Sequence, residues 1–508
     1  MAVDLLVRGR WVWTGAPGAP VLDDGAVAVE GGAVREVGPY AALRARHPQA
    51  REMGSADHAV LPGLVNAHQH GMGLPYLMLG GPDDALELWK PRLLGLGVVD
   101  PYLNTLYAAI KQLESGVTTT LHFNTGAPVN YLETVRARLR AYGEAGIRVA
   151  FGMEIYDQQN YVYAPDEAFL AGLPADLRGR VLRILGERRT LPVPEFLDAF
   201  ETLWREQPTH GRARLFVAPF APQWCSDDLL RETARLARAH ATGVQMHCLE
   251  TVYQKLYGPR AYGRPVIEHL HALGVLSPAV SLAHGVWITE REMDILREAG
   301  AAVVHNASSN LRLRSGILPL LPLRARGVRT GMGMDGLALN DDDDMFQEMR
   351  LALRLHRLPG LGAPALTSED VLRMATIEGA RALGLDGQVG SLEPGKRADL
   401  VLLRLDRICE PYCDPDVPAL ELIVHRAKAQ DVDAVIVDGR PAIEGGRLRS
   451  VDRASVVARL REAAAARLTP GAREVRALMA DLAPYIQKFF AAWELPAADP
   501  CYGVNSLV

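Results

Sequence analysis

Cysteine is scarce in this chain: five residues in 508, at Cys225, Cys248, Cys409, Cys413 and Cys501, odd in number and scattered. That excludes a disulfide framework and points to reduced, structural thiols in a cytoplasmic setting. Cys409-Glu-Pro-Tyr-Cys413 has a spacing that metal accepts, but no second pair completes a site. No stretch approaches the roughly 18–20 apolar residues that a membrane span requires. The start, Met1-Ala-Val-Asp, lacks the basic-then-apolar pattern of a signal peptide. The net charge is only −5, with no basic field of the kind nucleic acid demands, so neither nucleic acid nor membrane is an expected partner. With 48% apolar and 23% charged residues, the composition is that of a soluble globular protein with a large core.

Short, β-branched segments bounded by glycine open the chain: Asp4-Leu-Leu-Val-Arg-Gly, Gly25-Ala-Val-Ala-Val-Glu-Gly-Gly and Val34-Arg-Glu-Val-Gly. They read as antiparallel hairpins. A matching set returns late, in Ala398-Asp-Leu-Val-Leu-Leu, Val432-Asp-Ala-Val-Ile-Val-Asp-Gly and Glu444-Gly-Gly. The simplest account is one small β-sandwich built from both chain ends, residues 1–60 and 389–450. Between them, residues 61–388 alternate apolar strands with helical stretches such as Asp227-Asp-Leu-Leu-Arg-Glu-Thr-Ala-Arg-Leu-Ala-Arg-Ala-His. Eight such strands argue for an α/β fold, a distorted parallel (β/α)8 barrel, with its main insertion from about 157 to 195. Residues 451–508 read as a helical extension broken by Pro470 and Pro484 and ending in an extended tail from Leu495. Val475, Leu478, Met479, Leu482, Ile486 and Phe490 recur there at helical spacing. They either pack on the barrel or offer a contact for a homodimer, the commonest default assembly.

The richest local signal is His68-Gln69-His70, at the end of the apolar run from Ala59 to Asn66. Two histidines at i and i+2 on a strand point to one side, so both imidazoles can reach one metal ion. At the C-terminal end of a barrel strand they would sit in the mouth where such folds do their chemistry. Later strands end in comparable groups: His247 on the fifth, His284 on the sixth, Asp335 on the eighth. Imidazoles with a carboxylate suit zinc, or iron or manganese, as one divalent ion with a position left for water.

These segments resemble the amidohydrolase superfamily. The resemblance rests on Pro62-Gly-Leu-Val-Asn-Ala-His-Gln-His, Ser115-Gly-Val-Thr-Thr-Thr, His247-Cys-Leu-Glu-Thr, Ala283-His-Gly, Gly333-Met-Asp-Gly and Gly390-Ser-Leu-Glu-Pro-Gly-Lys-Arg-Ala-Asp-Leu-Val, over roughly residues 1–445. It is nearest the branch of guanine, cytosine, methylthioadenosine and triazine deaminases, to which Ser308-Ser-Asn-Leu-Arg-Leu and Asp335-Gly-Leu-Ala-Leu-Asn-Asp also belong. The resemblance implies a hydrolase of carbon–nitrogen bonds other than peptide bonds, with His68, His70, His247 and Asp335 as metal ligands. Glu250 would protonate a ring nitrogen. His284 would donate a hydrogen bond to the attacking water or the oxyanion, or shuttle a proton, and Asp335 would take the water's proton. Deamination of an amino-substituted nitrogen heterocycle is the leading expectation. Hydrolysis of an amide, urea or carbamate bond, or displacement of another leaving group, is the alternative. A non-catalytic binding barrel is disfavoured because no ligand is missing.

The remaining candidates line the presumed mouth. The loop from Gly71 to Trp89 is expected to roof a pocket, with Trp89, Tyr76, Gln223 and Trp224 as substrate contacts. His122 and His305, ending the second and seventh strands, are further substrate or supporting contacts. Glu154 ends the third strand, and it or another group could support a second metal, though one ion is expected. Asp341-Asp-Asp-Asp344 reads as a solvated helix start.

Overall fold

The computed structural model describes residues 3–125, 130–186, 191–206, 211–336 and 339–495. Four strands open the chain: β1 (Leu5–Val12), β2 (Leu22–Glu30), β3 (Ala33–Pro39) and β4 (Arg51–Pro62). Eight follow in the middle: β5 (Leu64–Gln69), β6 (Val117–Phe123), β7 (Arg148–Ile155), β8 (Ala213–Pro219), β9 (Val244–Cys248), β10 (Val280–His284), β11 (Ala302–His305) and β12 (Arg329–Met332). Four more close the chain: β13 (Leu400–Arg404), β14 (Val432–Val437), β15 (Arg440–Glu444) and β16 (Arg447–Leu448).

Strands β5 to β12 pair in sequence order, all parallel where paired. The ring is nearly closed: past the end of β12, Asp335 N donates to His68 O at 3.0 Å and Met334 N to Asn66 Oδ1 at 3.0 Å. Every residue of β5, β6, β9, β10 and β11 is buried, as expected of strands covered on both faces. This is a (β/α)8 barrel.

The other sheet runs β16-β15-β14-β13-β4-β1-β2-β3, from both chain ends. Val7, Val27 and Val29 from one end share a core with Leu400, Leu402 and Ile436 from the other. The hairpin expectation holds for β1–β2 and β2–β3, but β1 pairs with β4 in parallel, because the helix Tyr40–Arg46 returns the chain before β4 begins. The boundary expected at residue 60 falls inside β4, whose first part pairs with β1 and whose end pairs with β13.

Three helices occupy the connection between β7 and β8: Asp166–Ala171, Ala175–Leu185 and Val193–Glu206. The C-terminal extension forms helices Arg453–Ala466 and Pro470–Ala491. The expected breaks differ: Pro470 starts the second helix, where its missing N–H is no loss, and the helix runs on through Pro484. Leu478, Met479, Leu482, Ile486 and Phe490 are buried within the chain, against the helices Leu86–Arg92 and Ala175–Leu185. The expected tail lies outside the described residues beyond Leu495. No helix among the described residues is long and apolar enough to cross a membrane.

Candidate metal centre and its cavity

At the C-terminal mouth of the barrel, one donor atom from each of His68, His247, His284 and Asp335 lies within 4.8 Å of the others. His70 joins them: its Nε2 stands 3.3 Å from His247 Nε2 and 3.2 Å from Asp335 Oδ1. His68 Nε2 is also 3.2 Å from Asp335 Oδ1. The strand register explains part of this convergence. Pairing between β5 and β6 slips between Asn66 and Gln69, a bulge of the kind that re-aims side chains. His284 and Asp335 hold φ of 77° and 54°, a left-handed backbone that non-glycine residues adopt at some expense and that is common at functional sites.

Each ring's other nitrogen is tied down. His68 Nδ1 lies 2.7 Å from Gln245 Oε1, and the Gln245 amide is oriented by donating Nε2 to Ala67 O and Ser281 Oγ. His70 Nδ1 meets Phe123 O at 3.1 Å and His247 Nδ1 meets Phe220 O at 2.8 Å. All three acceptors lack a proton to give, so each Nδ1 donates and each Nε2 lone pair faces the common point. Burial, reinforced by the neighbouring histidines, pushes the His247 pKa well below its usual value, which keeps the ring neutral. Ser309 Oγ donates to Asp335 Oδ2. His68 Nε2 and Asp335 Oδ1 are buried with no hydrogen-bond partner among the described residues. Neutral imidazole nitrogens and an anionic oxygen aimed at one point fit a divalent ion.

Two further groups complete the centre. Glu250, 3% exposed, places Oε2 3.7 Å from His284 Nε2 and accepts from Ser315 Oγ at 3.4 Å. Burial, then the charges of Asp335 and Glu87, raise its pKa well above the usual carboxylate value, which favours the protonated form. His284 is pushed down to about 4, first by burial, and is neutral. Its Nδ1 lies 2.9 Å from Asn310 Oδ1 and donates to it, so Nε2 has a lone pair and no proton. Its Nε2 stands 4.0 Å from Asp335 Oδ2, which, like its approach to Glu250, is beyond hydrogen-bond reach.

A cavity of about 650 Å³ opens over the centre, lined by His70, His247, Glu250, His284 and Asp335 at its base. Trp89, Tyr76 and Trp224 wall it, as expected of aromatic residues in these loops. Tyr76 and Trp89 stand edge to face with centroids 5.2 Å apart, and the Lys90 ammonium lies 3.1 Å from the Trp224 ring centroid. His122, Gln223 and His305 are not among the lining residues. His122 is packed behind Gly71, where a Cβ would strike its ring, with Nδ1 on the Tyr142 hydroxyl at 2.8 Å. Gln223 is 2% exposed beneath the wall, and His305 Nε2 faces His356 Nε2 at 3.1 Å. Burial drives both His122 and His305 well below the usual histidine pKa, so both are neutral. Glu154 lines the cavity but stands outside the donor group. Asp344 caps the helix Met345–Leu355 through Phe346 N, while Asp343 pairs with Lys111 and Asp341 with Arg312.

A metal-binding hydrolase site at the mouth of a (β/α)8 barrel is the class that fold and site define. The amidohydrolase family model matches residues 59–442. The chain belongs to that family. A model described as an imidazolonepropionase-like composite domain of bacteria matches residues 25–50. The 5-methylthioadenosine/S-adenosylhomocysteine deaminase of Syntrophobacter fumaroxidans is 32% identical over 90% of this chain and 97% of its own length. The 5'-deoxyadenosine deaminase of Methanosarcina mazei is 29% identical over 91% and 98%. Among solved structures, a zinc-bound adenosine deaminase from Xanthomonas campestris aligns with a TM-score of 0.74 and 28% identity, over 91% of this chain and 98% of that one. An atrazine chlorohydrolase from Arthrobacter aurescens TC1 shares the fold, with a TM-score of 0.74 at 23% identity over 91% and 100%.

Proposed function

We propose that this enzyme removes the amino group of an adenosine-type nitrogen heterocycle by hydrolysis, with release of ammonia. The observation that carries the reading is the placement of Glu250 and His284, 3.7 Å apart, beside the Asp335 carboxylate at the cavity. His68, His70, His247 and Asp335 would hold one divalent ion, for which zinc is our choice. When bound, such an ion supplies Lewis acidity that makes water a nucleophile at neutral pH.

The chain's own groups divide the proton work. Glu250 gives its proton to the ring nitrogen beside the amino-bearing carbon, which makes that carbon electrophilic. Asp335 takes one proton from the attacking water and returns it to the departing amine, while His284 Nε2 accepts the second as the carbonyl forms and passes it back to Glu250. Trp89, Tyr76 and Trp224 offer faces to a flat ring and help exclude bulk water. The deaminases among its relatives favour this reading over amide, urea or carbamate hydrolysis. We further propose a cytoplasmic homodimer, to be checked by light scattering on the purified chain.

The test is ammonia release from adenosine, 5'-deoxyadenosine, methylthioadenosine, guanine and triazines, beside amine release from aryl ureas. Ammonia from the adenosine group supports the reading; activity on ureas alone contradicts it. Glu250→Gln should keep its metal while losing turnover by roughly 10²–10⁴-fold.

A further inference from the structure

We propose that Glu154, Arg138 and Thr125 form a second polar subsite of the cavity, which holds a neutral vicinal diol such as the paired hydroxyls of a substrate ribose. The proposal rests on the deaminase reading for its substrate class, and its test separates the two. All three residues line the cavity. They come from neighbouring parts of the barrel: Thr125 just past β6, Glu154 near the end of β7, and Arg138 from the helix Tyr131–Ala145 between those strands. The metal donors stand elsewhere on the ring, at β5, β9, β10 and beyond β12.

The three share an unusual condition. Arg138 is 6% exposed; its Nη1 donates to Asn124 Oδ1 and to Thr125 O at 2.7 Å, which fixes the guanidinium, yet its Nε is buried without a partner among the described residues. Glu154 Oε2 and Thr125 Oγ1 are likewise buried and, among the described residues, unpartnered. The Tyr131 hydroxyl holds the Glu154 backbone carbonyl at 3.3 Å, so the helix and β7 are tied beside the subsite. Buried polar atoms are nearly always satisfied, and three orphans on residues that line one cavity call for a ligand that satisfies them together. The reaction described above uses none of them.

Their chemistry selects the ligand. Arg138 Nε–H can only donate, and the Thr125 hydroxyl donates or accepts. Burial raises the Glu154 pKa to about 8 against the pull of Lys90 and Arg138, so at neutral pH it carries a proton and both donates and accepts. The Lys90 ammonium lies over the Trp224 and Phe220 rings, 3.1 and 3.8 Å from their centroids. An ammonium ligand would meet the Arg138 guanidinium, and an anion, which only accepts, would leave the acceptor side of the Glu154 carboxyl unused. Adjacent neutral hydroxyls complete all three.

Calorimetric titration of the metal-loaded enzyme with inosine and 2',3'-dideoxyinosine reads the subsite without turnover. Inosine should bind roughly tenfold more tightly. Glu154→Leu and Thr125→Val should each shrink that preference, while Glu154→Gln, which also donates and accepts, should keep most of it. No preference in the wild type, or an undiminished preference in Glu154→Leu, overturns the subsite. Tighter binding of inosine 5'-monophosphate that is lost in Glu154→Leu also overturns it, since that describes an anion site. Ammonia release from adenosine and dideoxyadenosine is the second arm. Equal kcat/KM on both overturns the subsite and leaves the deaminase reading standing. A diol preference in binding with no ammonia from either supports the subsite and contradicts the deaminase reading.

Discussion

At the scale of single residues, the donors were legible because a strand's period of two is simple: His68 and His70 announce themselves, and strand-end positions suggest the rest. The groups that make the donors work were harder to read. Gln245 lies two residues before His247, on the same face of β9, so a spacing signal existed, yet its contact is with His68 on a strand far away in sequence. Ser309 and Asn310 sit in a segment that the family resemblance marks, but only folding shows one on Asp335 and the other on His284. For His122 and His305 the sequence left substrate contact and a supporting role both open: a strand-end position brings a side chain near the mouth, and packing decides whether it enters. Glu154 carries a residue-scale prediction. Its folded pKa of about 8 lies above the ordinary 4.5, so folding favours the protonated form. That contribution is fully present below about pH 4.5 and is lost as pH rises through 8. Glu154→Gln should therefore flatten the fall of melting temperature with pH across that window, in scans of apo protein from pH 5 to 9. An identical fall in both proteins would contradict the assignment.

Among elements, the C-terminal helices and the cavity roof depend on each other. Arg476 Nε donates to Gly95 O at 2.9 Å and its Nη2 to Leu79 O at 3.3 Å. Arg467 donates to Leu96 O at 3.0 Å and to Leu79 O at 2.8 Å. Leu79 and Leu96 line the cavity, so two arginines from the extension fix the carbonyls of its roof. The approach is close enough that a Cβ on Gly95 would come within 2.6 Å of the Arg476 Cα. Replacing both arginines by alanine should raise KM several-fold while lowering kcat less, because the roof positions substrate without taking part in proton transfer. Steady-state kinetics on the preferred substrate checks this; a loss confined to kcat would contradict it. Sequence periodicity identified the apolar face of the extension but not what it covers. Its partners, the helices Leu86–Arg92 and Ala175–Leu185, are nearly 300 residues or more away along the chain.

Across the whole molecule, a buried ion cluster joins barrel to sheet. Arg148, on β7, reaches Asp399 Oδ1 at 3.3 Å and Asp438 Oδ1 at 2.6 Å, and Asp438 N donates to Asp399 Oδ1 at 2.8 Å. Burial raises the Asp399 carboxyl while Arg148 pulls it down. Removing one member leaves a buried charge short of its partner, so Asp399→Ala should destabilise by about 3–5 kcal/mol, seen as a lower melting temperature with the metal still bound. An unchanged melting temperature would mean that the two units hold together without it. The general architecture was readable from strand–helix alternation and from strand motifs at both ends. The parallel pairing of β1 with β4 was not, because alternation fixes which face a strand buries, not which neighbour it finds.

The central claim is that one ion, held by the histidines and Asp335, is the heart of this enzyme. Elemental analysis of protein purified without added metal, beside His247→Ala, tests it most directly. About one equivalent of zinc per chain, lost in the variant, is the expected result. Two equivalents, or none in the wild type, would contradict the account.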